Sequence, residues 1–133
     1  MKISLNWLRD YVEVDGPAEQ IAEILSDVGF PCEGIEHLDD DIVIDVEVTS
    51  NRGDCLGYIG IARELAAATG KELRIRSVDL DESDRDVTEF ASVEIHEPEL
   101  CGRYTARIID AVNVGPSPDW LRKRLEAIGL RSV

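Results

Sequence analysis

The sequence predicts a small α+β protein, and three observations carry that expectation. Residues 42–49 alternate apolar and polar side chains as a half-buried strand does. Residues 18–28 and 54–69 repeat apolar side chains at helical spacing, and an acidic run from Asp79 to Glu89 interrupts the chain without offering a core.

Ser4 is placed to cap a short helix whose Leu5, Leu8 and Val12 share one side, and Asp15-Gly16-Pro17 punctuates the chain after it. A second helix follows, in which Ala18, Ile21, Ala22, Leu25 and Val28 form the apolar stripe and Gly29 stands where a left-handed residue ends a helix. Phe30 to Glu36 reads as a short extended piece interrupted by Pro31 and Gly34, and Asp39-Asp40-Asp41 as a solvated turn. The alternating strand then places Ile42, Ile44, Val46 and Val48 on one face and Val43, Asp45, Glu47 and Thr49 on the other. A helix from about Asp54 to Thr69 is expected to bury Cys55, Ile59, Ala62, Leu65 and Ala66 and to close at Gly70, with Lys71 to Ile75 as a short strand. Beyond the acidic run, Ala91–His96 and Arg103–Val114 read as two strands. Ser117-Pro118-Asp119 opens a helix with Leu121, Leu125 and Ile128 as its buried stripe and Gly129 as its stop. The expected organisation is a module over residues 1–76, an acidic linker over 77–90 and a second unit over 91–133. Two strands and one helix bury too little to close a domain, so that second unit reads as truncated.

The net charge of −14 is unevenly spread. Residues 1–78 carry sixteen acidic and seven basic side chains, residues 79–99 nine and one, and residues 117–133 reverse the sign with two acidic and four basic. Nucleic-acid affinity comes chiefly from lysine and arginine displacing counterions, so only the C-terminal segment suits RNA. Cys32, Cys55 and Cys101 lack CxxC spacing and read as reduced thiols, neither a zinc cage nor a disulfide framework. The sequence shows no apolar run long enough for a signal peptide or a membrane span, which points to the cytoplasm.

Asn51-Arg52-Gly53-Asp54 is the obvious candidate site, because Arg52 could hold a phosphate or carboxylate near a helix start. A structural turn explains the same residues better: Gly53 permits a tight bend, Asp54 suits the helix N-cap, and Arg52 can pair with Asp45 or Glu47. Arg-Gly-Asp as an adhesion sequence requires an extracellular loop, which nothing here suggests. Cys55 as a nucleophile lacks a base, since His37 and His96 both lie in acidic stretches; it reads as a buried structural thiol. Asp39-Asp40-Asp41 lacks the alternating spacing of a calcium loop. Arg122, Lys123 and Arg124 spread over about 200° of a helix, so a solvated or subunit-facing role is favoured over a weak RNA contact. Trp7 and Trp120 read as core. The expectation is thus no catalytic, cofactor-binding or metal-binding residue.

MKISLNWLRDYV, the helix ending in DVGFPCEGIE, the run DVEVTSNRGDCLGYIGIARELAAATGK, and CGRYTARIIDAVNVGPSPDWLRKRLEAIGLRSV resemble consecutive parts of the bacterial phenylalanine–tRNA ligase beta subunit. The resemblance implies a large beta subunit that pairs with an alpha subunit carrying the aminoacylation site. Together they form an (αβ)2 enzyme that charges tRNA with phenylalanine using ATP and Mg2+. It also implies that residues 1–76 match the N-terminal module and 91–133 the start of an editing (B3/B4-like) domain that hydrolyses mischarged tyrosyl-tRNA. Two departures stand out. An oligonucleotide-binding barrel that contacts tRNA in many bacterial members is missing, with Glu36 to Asp41 bridging the gap directly, and the sequence stops at Val133 before the editing pocket. Asn51, Arg52, Gly53 and Asp54 match a family motif and are carried over only as a turn. The role this implies is structural or assembly. The competing readings are a stand-alone nucleic-acid- or protein-binding module and a free-standing editing hydrolase, the latter needing a pocket these residues do not supply.

Overall fold

The computed structural model describes all of residues 1–133. Its sheet is built on the alternating segment. Numbering strands and helices in chain order, β3 (Ile42–Val46) pairs antiparallel with β1 (Lys2–Ser4) on one side and β2 (Cys32–His37) on the other. The register sets Ile3 and Ile35 on either side of Ile44, so a row of β-branched side chains crosses the sheet. Strand β1 is too short to show an alternation in sequence; it forms because β3 offers a free edge. The β2–β3 hairpin is closed by the Leu38 N–H donating to the Asp41 carbonyl at 2.9 Å.

Helix α1 (Leu5–Leu8) starts directly from β1, with the Ser4 hydroxyl accepting from the Trp7 N–H at 3.0 Å as expected of an N-cap. Helices α2 (Ala18–Asp27) and α3 (Tyr58–Thr69) bring Ala18, Ile21, Ala22 and Leu25, and Ile61, Ala62, Leu65 and Ala66, into one core with Ile3, Phe30, Ile44 and Val46. This is the α+β module the patterning predicts. Gly29 and Gly70 follow the two helices with φ of +99° and +68°, the left-handed geometry that favours glycine.

Several expectations are corrected. Helix α3 begins at Tyr58 and not near Asp54, because Gly53–Cys55 form a separate 3-10 turn. That shift turns Ile59 outward, 39% exposed, and puts Ile61 in the core. Lys71 to Ile75 forms no strand; the Lys71 N–H donates to the Ala66 carbonyl and the Arg74 N–H to that of Tyr11. In α4 (Asp119–Ala127) the N-cap is Pro118, with no side-chain cap, whereas the Ser-Pro-Asp opening predicts Ser117 as the cap and Pro118 as the first helical residue. Trp120 is 62% exposed and is not core.

By packing the chain forms two units, Met1–Ser77 with Pro116–Val133, and Val78–Gly115. Helix α4 lies in the first. The second contains one 3-10 turn, Val87–Glu89, and the ion pairs Arg85–Asp110 (3.3 Å) and Arg107–Glu82 (3.0 Å). The strands expected over residues 91–96 and 103–114 are not formed, and Val93, Ile95, Tyr104 and Ile108 stand exposed. Their alternation has no third strand or helix to cover it, so ordering the backbone is not offset by burial.

Candidate functional site at the Asn51–Asp54 corner

The corner joins β3 to α3. The Arg52 N–H donates to the Thr49 carbonyl and the Cys55 N–H to that of Arg52, both at 2.9 Å, which folds the chain into the 3-10 turn. Asn51 and Gly53 are exposed, while Arg52 is half-buried. Its Nε and Nη2 donate to the two oxygens of Asp54 at 3.1 Å each, a bidentate fork. Nη2 also donates to Glu64 Oε1 of α3 at 2.7 Å and approaches Cys55 Sγ at 3.1 Å, and the guanidinium lies 5.0 Å from the Phe30 ring centre. The fully buried Cys55 thiol donates to Asp54 Oδ2 at 3.2 Å. Gly60 sits where the turn touches the helix: a Cβ there would meet the Asp54 carbonyl oxygen at 2.0 Å and Cys55 Cα at 2.7 Å.

The electrostatics follow from these contacts. Hydrogen bonds from Arg52, then from the Cys55 thiol, hold Asp54 down to about 2. Asp54 and Glu64 raise Arg52 above its already high value. Burial, and then the bond to Asp54, pushes the Cys55 thiol up.

Asp54, Cys55 and Glu64 present ligand-type atoms within 4.8 Å of one another. A metal would need a thiolate and carboxylates free to bind it. Here burial and the bond to Asp54 favour the protonated thiol, and Arg52 donates to both carboxylates, so the cation these groups face is the guanidinium. The same protonated thiol makes a poor nucleophile. The corner folds as a turn, and the pairing within it differs from the expected one. Arg52 binds Asp54 and Glu64 and not Asp45 or Glu47, and Asp54 is a partner of Arg52 inside the 3-10 turn and not the N-cap of α3, which is Gly57. Sequence reasoning missed Glu64, Phe30 and Gly60. The available signal was Gly60 itself, since glycine inside a helix marks a close approach.

The other candidates are also paired within the chain. Asp41 is more than a solvated turn: its carboxylate accepts from the Ser4 hydroxyl, the Asn6 N–H (3.1 Å) and the Ile42 N–H (2.8 Å), bracing the start of α1. In α4, Arg122 pairs with Asp119 and Glu126, Lys123 with Asp40 at 2.7 Å, and Arg124 with Asp10 at 2.7 Å.

Fold and site together define a small α+β packing module fastened by a charged clasp. Over all 133 residues the chain is 47% identical to the phenylalanine–tRNA ligase beta subunit of Rhodopirellula baltica, covering 20% of that protein. The beta subunits of Syntrophus aciditrophicus and Geobacter sulfurreducens match over 93 residues, 70% of this chain and 12% of theirs, at 54% and 48% identity. No protein-family model and no solved structure matches. The chain is a homologue of a portion of the phenylalanine–tRNA ligase beta subunit and spans a fifth or less of the length of these relatives.

Proposed function

We propose that the chain serves phenylalanine–tRNA ligase as the amino-terminal structural module of the beta subunit, organising the subunit and leaving the chemistry to other parts of the enzyme. The observation that carries this is the corner, where the most suggestive residues, Arg52, Asp54, Cys55 and Glu64, are spent on one another. In this reading the alpha subunit supplies the aminoacylation site of an (αβ)2 enzyme, and tRNA meets the assembly elsewhere. ATP and Mg2+ belong to the parent enzyme: Asp54 and Glu64 are already bonded to Arg52 and leave no free acidic pair for magnesium there. By resemblance, residues 1–76 correspond to the module, 77–90 to a linker and 91–133 to the start of an editing-type domain, of which Pro116–Val133 packs with the first unit in this chain. No helix is long and apolar enough to cross a membrane, and the cytoplasm is the compartment in which we place it.

We read the chain as part of a beta subunit without the inserted tRNA-binding barrel. The Rhodopirellula protein aligns over all 133 residues, and the β2–β3 turn, where the resemblance sets the barrel in other members, is a short exposed hairpin tip in this chain. An exposed hairpin tip is where a fold tolerates an insertion. Gel-shift titration with tRNA at low and physiological salt tests the role. Weak binding that vanishes with salt is expected of this acidic chain, and tight, salt-resistant binding would refute it.

A further inference from the structure

Helix α4 sits in the first unit without a single fully buried side chain. Leu121, Leu125 and Ile128 are only half-buried, so the apolar contact that usually holds a helix to a core is slight. Ion pairs and a cation–π contact supplement it. Lys123 Nζ reaches Asp40 at 2.7 Å, and Arg124 Nη2 reaches Asp10 at 2.7 Å. The Arg124 guanidinium also lies 5.5 Å from the Trp7 ring centre and 5.8 Å from that of Trp120. Beneath it, Trp7 stacks on Tyr58 with ring centres 4.2 Å apart, and Tyr11 lies 6.4 Å from Tyr58. Tyr58 is anchored from the core side, its hydroxyl accepting the Ser4 N–H at 2.8 Å. The aromatic shelf thus belongs to the rigid module, while the helix upon it is attached by groups that water can reach.

We propose that α4 is an electrostatically latched strap, and that the Trp7–Tyr58 shelf flanked by Asp10 and Asp40 is a docking surface for a basic helix, with α4 as its occupant. The strap leaves and re-seats without unfolding the core. Exposed pairs are screened by salt, and a helix of nine residues is marginal once undocked, so release melts α4.

Backbone hydrogen exchange of the full chain, resolved by NMR, reads the docking directly. Raising the salt from about 0.05 M to 1 M is expected to speed exchange in α4 and leave α2 and α3 unchanged. The charge-reversed K123E/R124E chain should exchange about tenfold faster in α4 at low salt, and the swapped D40K/K123E chain, which keeps the Arg124 cation on the two tryptophan faces, should recover the protection that K123E alone loses. Unchanged α4 protection in the reversed chain would overturn the proposal. So would parallel loss in α2 and α3, or a swapped chain that fails to recover.

Discussion

The guanidinium of Arg52 has five N–H donors in one plane, and its neighbours decide how they are used. Asp54 takes two, Glu64 takes one, and the protonated Cys55 sulfur lies against the same nitrogen. Replacing Arg52 by methionine keeps much of the bulk over Phe30 and removes every one of those donors. The Asp54 carboxyl should then titrate higher than about 2, short of the ordinary carboxylate range because the Cys55 thiol still donates to it, which side-chain carboxyl NMR reads, and the urea midpoint should fall. The sign of the pH effect is fixed by the same shift. A carboxyl held below its unfolded value contributes stability above about pH 4, and that contribution is lost as the pH falls toward 2. Cys55 gives a second check at this scale. A thiol alkylating reagent at mildly alkaline pH should modify the exposed Cys101 readily and leave the buried Cys55 untouched until denaturant is added.

Among the elements, α3 shows how far the residues announce their own structure. Its apolar spacing and its glycine stop were legible, as were α2 with Ala18, Ile21, Ala22 and Leu25 inward, and β3. Its true start was not, because the 3-10 turn at Gly53–Cys55 comes from a tertiary contact, the turn lying against Gly60. Gly60→Ala tests that contact. Helix propensity alone would favour alanine by about 1 kcal/mol, but the new methyl would strike backbone atoms of Asp54 and Cys55. A net loss of about 1–3 kcal/mol in urea denaturation is expected, against little change for Gly57→Ala, where the added Cβ meets nothing. Asp41 ties the β2–β3 turn to α1, and Asp41→Ala should cost about 1–2 kcal/mol by the same measurement, through the lost bonds to Ser4, Asn6 and Ile42. Strand β1 escaped the sequence reading because three residues carry no alternation. Glu64 escaped because its link to Arg52 depends on how the turn lies against α3.

At the scale of the whole chain, the charge of −14 and the internal pairing of Arg122, Lys123 and Arg124 agree with a role in organising a subunit and not in gripping nucleic acid. The fold class was readable in residues 1–76 because the core elements there carry strong periodicities. The strands expected in residues 91–114 were misread for the complementary reason: an alternating pattern states which side chains want burial and is silent on whether anything buries them. The central claim is that the folded core of this chain is the module clasped at Arg52, with Val78–Gly115 outside it. Amide hydrogen exchange across the native chain tests it most directly. Strong protection is expected in β3, α2 and α3, with nearly free exchange through residues 78–115; protection of residues 91–114 equal to that of α3 would overturn it.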